Sequence, residues 1–261
     1  MIEVVNLHKA FDQKKVLCGV NLTIPDGMTT CIIGKSGCGK SVLLKHIVGL
    51  LEPDEGYVLV DNYNINEIKN SRLYQLRQQM GFVFQGSALF DSLNVYENVI
   101  IGLYERGNRD EKMLEEEAKR VLISVGLLPD PEHTSEIEFQ KEWQILKYKK
   151  PADLSGGMKK RVGVARALAG KPSYIFYDEP TTGLDPVTSE QIDYLIANLA
   201  KKYKVTSIVI THDMFSVYRI AQKIAFLNGG TVRFEGSPDD LKFSKDEAIL
   251  EFLERYRVNC S

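Results

Sequence analysis

The sequence contains no long apolar run and no cysteine pattern. No stretch approaches the roughly 18 apolar residues of a membrane-spanning helix, and the N-terminus, Met1–Val4, has no signal-peptide shape. The four cysteines lack metal-ligand spacing and an extracellular context, so reduced thiols are expected; they are Cys18, Cys31, Cys38 and Cys260. These absences predict a cytoplasmic protein without disulfides.

An excess of basic charge is also lacking. The 33 lysines and arginines are outnumbered by 35 acidic residues, which gives a formal net charge of −2. This balance offers no electrostatic case for binding nucleic acid. With 44% apolar and 26% charged residues, the 261-residue chain has an ordinary globular composition, and its length suits one α/β domain with an appended lobe.

The most informative stretch that is present is Gly34–Ser41, which has the G-x-x-x-x-G-K-S spacing of a phosphate-binding loop. An apolar run, 29–33, precedes it and a helical run, 42–51, follows, and this context disfavours a plain glycine-rich turn. Backbone N–H groups and the start of the helix would converge there on one anion. The predicted phosphate contacts are Gly34, Lys35, Ser36, Gly37, Cys38, Gly39, Lys40, Ser41 and Val42.

Lys40 is expected to reach the β- and γ-phosphates, and the Ser41 hydroxyl to ligate Mg²⁺. Cys38 is next to a lysine and a helix start, which could lower its pKa, although a passive filler is the favoured interpretation. Phe11 stands in the polar stretch 9–15, where its ring is either a stacking surface for adenine or a core side chain.

Three predicted strands end in residues that suit phosphate chemistry. They are Gln85 after the strand 80–84, Asp178 and Glu179 after 174–177, and His212 after 205–210. Open α/β sheets bind ligands at the carboxyl ends of their strands, so these side chains are expected at one edge. The alternatives are a structural role for His212 and a helix start or a solvated face for the pair Asp178 and Glu179.

Each of these residues has a predicted role. The Gln85 amide would ligate Mg²⁺, and Asp178 would hold the ion either directly or through a water molecule. Glu179 would take a proton from the attacking water, a contribution of about 10²–10⁴-fold. His212 would contact the γ-phosphate or orient the water. Ser155, Gly156 and Gly157 open a predicted helix and combine a cap with an anion site.

The middle of the chain, residues 86–154, is predicted to be a helical lobe with helices at 95–104 and 110–125. Residues 126–153 show no convincing period. A solvated loop with a short helix is the favoured interpretation of this stretch. The alternative is a partner-binding insertion anchored by Trp143, the only tryptophan.

Taken together, these motifs resemble the nucleotide-binding subunit of an ABC transporter over essentially the whole chain. Gly183–Asp185 additionally matches the dimer-contact loop of that family. The resemblance implies an α/β P-loop NTPase fold with a RecA-like parallel sheet core, an N-terminal antiparallel β subdomain and an α-helical subdomain. One ABC domain, 1–261, would consist of β layer and core at 1–85 and 170–261 and a helical subdomain at 86–169, with an insertion at about 127–153.

The resemblance also implies a function. The chain would hydrolyse ATP with Mg²⁺ to power transport, as a head-to-tail homodimer in which ATP lies between one phosphate loop and the partner copy's Ser155–Gly157. Asp185 would contact the nucleotide region across the same interface. The expected partners are integral membrane permease subunits and accessory subunits, which would place the chain at the cytoplasmic face of the cell membrane.

Finer features bear on the cargo. Met158 and the segments Gln85–Val95 and Thr211–Val217 are similar to Mla/Mce-type phospholipid transport ATPases, whereas polar amino acid and methionine importers share much of the rest. A non-transport ABC ATPase acting on nucleic acid or ribosomes is a further alternative, disfavoured by the single cassette and the lack of sustained heptads. A phosphate-loop kinase would have no use for the Ser155–Gly157 motif.

Overall fold

The computed structural model describes residues 1–254, which form two compact units. Unit 1 comprises residues 1–78 and, at the C-terminal end of the described residues, 200–254, and unit 2 comprises Gln79–Leu199. The sequence predicts a C-terminal helix over 244–257; its end, with Tyr256, and the thiol of Cys260 lie outside the described residues.

The described residues contain both strands and helices. The strands are β1 (Ile2–Phe11), β2 (Lys14–Ile24), β3 (Thr29–Ile33), β4 (Glu55–Val60), β5 (Tyr63–Asn64), β6 (Met80–Val83), β7 (Tyr174–Asp178), β8 (Thr206–Ile210), β9 (Lys223–Asn228) and β10 (Thr231–Gly236). The helices are α1 (Lys40–Ile47), α2 (Asn70–Arg77), α3 (Val95–Glu105), α4 (Glu111–Ser124), α5 (Glu136–Lys147), α6 (Gly156–Leu168), α7 (Pro186–Tyr203), α8 (Met214–Ile220), α9 (Pro238–Lys242) and α10 (Glu247–Glu254). A 3₁₀ turn, Pro151–Asp153, precedes α6.

Unit 1 contains an antiparallel sheet in the order β2-β1-β4-β5. Its strands alternate between buried and more exposed residues, as in β2, where Val20, Leu22 and Ile24 are buried and Asn21 and Thr23 are exposed. One face of such a sheet packs on a core while the other meets solvent. The antiparallel β layer predicted for the N-terminus is confirmed.

The second sheet region of unit 1 is built on β3, which pairs in parallel with both β8 and β9. All five residues of β3 and all five of β8 are buried. Continuously buried strands of this kind are typical of parallel sheets covered on both faces. β3 therefore delivers the loop that follows it from a rigid, fully packed strand.

Unit 2 combines a parallel pair of strands, β6 and β7, with helices. Gly81 of β6 lies against α6, and a Cβ at this position would come within 2.1 Å of the Ala167 carbonyl oxygen. Helix starts are capped by side chains: Asn94, Asp110, Ser135 and Ser155 each accept a hydrogen bond from a backbone N–H three residues on. These caps satisfy N–H groups that would otherwise lack a partner.

The stretch 126–153, expected to be a solvated loop with a short helix, contains a 12-residue helix, α5, at Glu136–Lys147 that is packed on one face. Its buried side chains, Phe139, Trp143 and Leu146, are spaced four and three residues apart, which places them on one face of the helix. Trp143 is fully buried, and its indole N–H donates to Glu115 Oε1 at 3.1 Å. Its ring is a core element of unit 2 and is not exposed to a partner.

The C-terminal helix α10 packs on unit 1. Ile249 and Phe252 are buried, and the Phe252 ring lies 5.3 Å from the ring of Phe226 in β9. Within residues 1–254, none of the helices has the length and apolar character needed to cross a bilayer.

The packing of Trp143 predicts a large effect of its removal. Trp143→Ala deletes a fully buried ring, its hydrogen bond and its edge-to-face contact with Tyr96, so we expect the free energy of unfolding to fall by about 3–5 kcal/mol. Ile137→Ala is the matched control, because Ile137 lies on the same helix and is 85% exposed; its effect should stay within about 0.5 kcal/mol. Equal effects in urea denaturation would contradict this packing.

Candidate functional site

The phosphate loop lies in unit 1 between β3 and α1, as predicted. Its backbone requires glycine at the positions that turn it: Gly39 has φ +108°, and a Cβ at Gly34 would lie 2.2 Å from the Leu227 carbonyl oxygen. Neither position accommodates a side chain. The outer residues of the loop, Ser36 and Gly37, and Ser41 in the first turn of α1 are exposed, so an anion can approach them from solvent.

Lys40 is the first residue of α1 and only 7% exposed. Its ammonium group donates to the carbonyl oxygens of Gly34 at 2.8 Å and Lys35 at 3.1 Å. The lysine thus folds over the loop and carries its positive charge beside the main chain that would receive phosphate. Lys35 itself forms an ion pair with Glu251 of α10 at 2.6 Å.

Cys38 behaves as a passive part of the loop. Burial raises the pKa of its thiol, and the neighbouring Lys40 ammonium offsets this effect only in part. The thiol therefore stays protonated at neutral pH, which makes it a weak nucleophile. This agrees with the favoured interpretation from the sequence.

His212 lies at the same edge of unit 1 as the phosphate loop. β8 pairs with β3 in parallel, with Ile210 opposite Ile32, and the Thr211 N–H donates to the Ile32 carbonyl oxygen at 3.3 Å. His212 follows directly and is exposed. The register therefore brings the histidine and the start of the loop to adjacent strand ends.

Phe11 ends β1 and its side chain is 43% exposed. The Lys9 ammonium lies 5.7 Å from the centroid of its ring. The core alternative considered for Phe11 is therefore wrong, because a packed core side chain would be shielded from solvent. An exposed ring of this kind can stack on a flat heteroaromatic group.

Unit 2 contains the acidic strand end. Tyr174–Tyr177 are buried, and Asp178 and Glu179 emerge from them as half-buried side chains. Since Val83 pairs with Tyr177, Gln85 follows the neighbouring strand at the same edge of this unit. The three predicted residues of unit 2 are thus brought to adjacent strand ends.

Glu179 has an unusual backbone conformation. Its φ is +49°, and the Thr182 hydroxyl donates to its Oε2 at 3.1 Å. Left-handed conformations cost free energy for residues other than glycine, and they persist where the surrounding structure imposes them. The turn thereby fixes the direction in which this carboxylate leaves the strand.

Lys160 of α6 is a site residue that the sequence did not reveal. It is 5% exposed, and its ammonium group donates to the backbone carbonyl of Gln85. Burial lowers the pKa of Lys160, whereas the carboxylates of Glu179 and Asp178 raise it. The available signal was the position of this lysine on the side of α6 that carries Gly163 and Val164. A lysine on a buried face is expected to have a partner, because charged side chains are rarely buried unless they are paired.

Ser155 and Asp185 cap helices at the surface of unit 2. The Ser155 hydroxyl accepts from the Met158 N–H at 3.2 Å, and both Ser155 and Gly156 are exposed while Gly157 is half-buried. Asp185 accepts hydrogen bonds from the Thr188 hydroxyl and N–H, which lower the pKa of its carboxyl group. Both helix starts are accessible to another molecule.

The groups at these positions suit ATP and Mg²⁺. Glycine-rich backbone and a lysine ammonium bind phosphate, and the hydroxyl of Ser41, the amide of Gln85 and the carboxylate of Asp178 are oxygen donors of the kind that Mg²⁺ prefers. These donors belong to two units, Ser41 to unit 1 and the other two to unit 2.

Comparison with known proteins agrees with this chemistry. A family profile described as ABC transporter matches residues 17–182. The methionine import ATP-binding protein MetN of Clostridium tetani is 35% identical over 98% of this chain and 75% of its own length. The intermembrane phospholipid transport system ATP-binding protein MlaF of Haemophilus influenzae is 34% identical over 97% of this chain and 90% of its own length.

A solved structure is similar in fold. A dimeric ATP-binding cassette in a post-hydrolysis state, bound to ADP and Pi, superimposes with a TM-score of 0.77 and 32% sequence identity, covering 91% of this chain and 98% of its own. The predicted fold class, an ABC ATPase with parallel strands and an antiparallel β subdomain, is confirmed.

The position of Lys40 predicts its contribution to nucleotide binding. Lys40→Met removes the ammonium group, and because hydrogen bonds to charged groups contribute about 1.5–3 kcal/mol, we expect the affinity for MgATP to fall about 10- to 150-fold. Lys45→Met removes the same charge from an exposed position of the same helix and should leave the affinity within about twofold. A dissociation constant for MgATP that is the same for Lys40→Met as for the parent, measured by titration calorimetry, would contradict this role of Lys40.

Proposed function

Because the chain belongs to the ABC transporter family and is an ATP-binding, ATP-hydrolysing subunit, we propose that it powers a membrane transporter of phospholipid or other lipid cargo. The observation that carries the catalytic part is the placement of Glu179 and Gln85 at adjacent strand ends of unit 2, and of His212 and the phosphate loop at adjacent strand ends of unit 1. The first pair places a carboxylate beside a side-chain amide, and the second places an imidazole beside the phosphate-binding backbone.

Different residues bind the adenine, the phosphates and the Mg²⁺ ion. The Phe11 ring stacks on adenine, while the backbone of the loop and the Lys40 ammonium hold the phosphates; the loop residues are Gly34, Lys35, Ser36, Gly37, Cys38, Gly39, Ser41 and Val42. Ser41, Gln85 and Asp178 would hold Mg²⁺, which supplies charge neutralisation on the phosphates.

Hydrolysis depends on positioning and one proton transfer. Glu179 accepts a proton from the water whose oxygen bonds to the γ-phosphorus, and the bond from that phosphorus to the bridging oxygen breaks to leave ADP and phosphate. His212 orients the water or contacts the γ-phosphate. The left-handed turn at Glu179 holds its carboxylate ready for this step.

A second copy of the chain completes each site. The exposed start of α6 presents N–H groups at Ser155, Gly156 and Gly157, and these suit the phosphates of an ATP held by the partner's loop. Asp185, at the exposed start of α7, lies beside the nucleotide at the same interface. The dimeric state of the related cassette supports this arrangement.

Membership of the family supports a transporter context. Integral membrane permease subunits, with accessory subunits, carry the cargo, and the chain sits peripherally on the cytoplasmic face of the cell membrane. The lipid assignment rests on the phospholipid transport relative, at 34% identity, together with Met158 and the segments Gln85–Val95 and Thr211–Val217. Methionine import is the second candidate, favoured by the relative at 35% identity.

The role of Glu179 is tested by removing its charge. Glu179→Gln cannot accept the proton, so we expect phosphate release to fall about 10²–10⁴-fold while MgATP still binds and stabilises the dimer. Glu116→Gln makes the same change at an exposed position of α4 and should retain the parent rate. Parent-like turnover by Glu179→Gln would exclude Glu179 as the general base.

The cargo is tested with the membrane subunits that copurify with the chain. Reconstituted in phospholipid vesicles, the complex should move fluorescent phospholipid in an ATP-dependent way and accumulate no labelled methionine, with Glu179→Gln as the inactive control. Accumulation of methionine without lipid movement would replace the proposal by the methionine alternative. Recovery of RNA or DNA in place of membrane subunits would exclude transport.

A further inference from the structure

The segment Gln85–Ala88 leaves β6 in a conformation that needs support. Ser87 has φ +61° and Ala88 has φ +43°, two consecutive left-handed residues that are not glycine. L-amino acids adopt this region reluctantly, and consecutive residues rarely do so. The segment therefore keeps its path only if neighbouring groups hold it.

Two cations of α6 supply these contacts. Lys160 donates to the Gln85 carbonyl, and the Arg166 guanidinium donates to the carbonyls of Ser87 at 2.8 Å and Ala88 at 2.7 Å. We call these two side chains and three carbonyls the carbonyl clamp. Both left-handed residues, as well as Gln85 itself, are thus held by the same helix.

The backbone of α6 approaches the segment closely. A Cβ at Gly163 would lie 3.5 Å from the Ser87 carbonyl oxygen and 3.7 Å from its Cα, so the helix and the segment are in van der Waals reach. Ser87 is 4% exposed and Lys160 is 5% exposed, so the hydrogen bonds to the Gln85 and Ser87 carbonyls are partly shielded from water, whereas the bond to Ala88 is exposed. Loss of a buried partner leaves a polar group unsatisfied, which makes such bonds costly to break.

The clamp also connects two parts of the proposed site. α6 begins at the Ser155 cap, and Lys160 lies about 7.5 Å further along the helix axis. A displacement of α6 therefore carries the main chain of Gln85 with it. We propose that Lys160 and Arg166 are positioning residues that hold Gln85 for hydrolysis and tie its position to the helix that starts at Ser155.

This inference rests on the proposed role of Gln85, and it makes a distinct prediction. Lys160→Met and Arg166→Met should each lower kcat for ATP about 10- to 100-fold, because a misplaced group costs about that factor. The affinity for ATP should stay within about twofold, since the phosphate loop is unchanged. Amide hydrogen exchange at residues 86–89 should become faster, which reports loss of the clamp independently of activity.

Conservative variants separate positioning from folding. Lys160→Arg keeps a cation and should restore most of kcat, whereas Arg166→Lys keeps the charge but not the two-pronged geometry and should give an intermediate rate. Lys147→Met removes a partly buried ammonium of the same unit that pairs with Glu115, and it should leave kcat unchanged. Thermal melting identifies any variant that fails to fold, in which case the conservative pair decides.

Three results would overturn the inference. The first is a parent-like kcat in folded Lys160→Met and Arg166→Met. The second is an unchanged rate of amide hydrogen exchange at residues 86–89. The third is a fall in kcat accompanied by a similar fold-loss of ATP affinity and by a lower melting temperature, which would indicate general destabilisation. Failure of the proposed function has another signature, parent-like hydrolysis by Glu179→Gln. The two failures are therefore distinguishable.

Discussion

A buried ammonium group needs hydrogen-bond acceptors around it, and the phosphate loop supplies them to Lys40. The carbonyls of Gly34 and Lys35 hold the ammonium, the glycines allow the main chain to turn tightly enough to present them, and β3 fixes where the loop begins. If Lys40 were fully solvated, its long side chain would lose much rotamer freedom on binding phosphate. Its preorganisation is therefore built into the fold.

The same physical device occurs in unit 2. There, too, a buried lysine donates to the backbone carbonyl of a segment that follows a parallel strand, with Lys160 on α6 and the carbonyl on Gln85. Arg166 extends the contact to two further carbonyls. In each unit a cation fixes main chain next to residues proposed to act on ATP, so the positions of the reacting groups depend on packed helices and not on solvated loops.

Much of this could be predicted from the sequence, because apolar runs identified the buried strands and residue spacing identified the phosphate loop. The length and the buried face of α5 were not predicted, because exposed Ile137 and Ile145 obscured the periodic burial of Phe139, Trp143 and Leu146. Lys160 was missed for a different reason: its place on α6 indicates only that it is buried, whereas its partner is a main-chain carbonyl 75 residues away that no side chain identifies. A contact between a side chain and main chain that is far away in the sequence can be identified only from the three-dimensional structure.

The central claim is that one ATP is held by the phosphate loop of one copy and the Ser155 helix start of another. The most direct test uses mixed dimers of the parent chain with tagged Lys40→Met copies. Orthovanadate is trapped with Mg²⁺ and ADP at the position of the γ-phosphate, and irradiation then cleaves the main chain next to it. The account predicts cuts within 34–41 of the parent and at Ser155–Gly157 of the tagged copies. Cuts confined to the parent's loop, with the tagged copies intact, would contradict it.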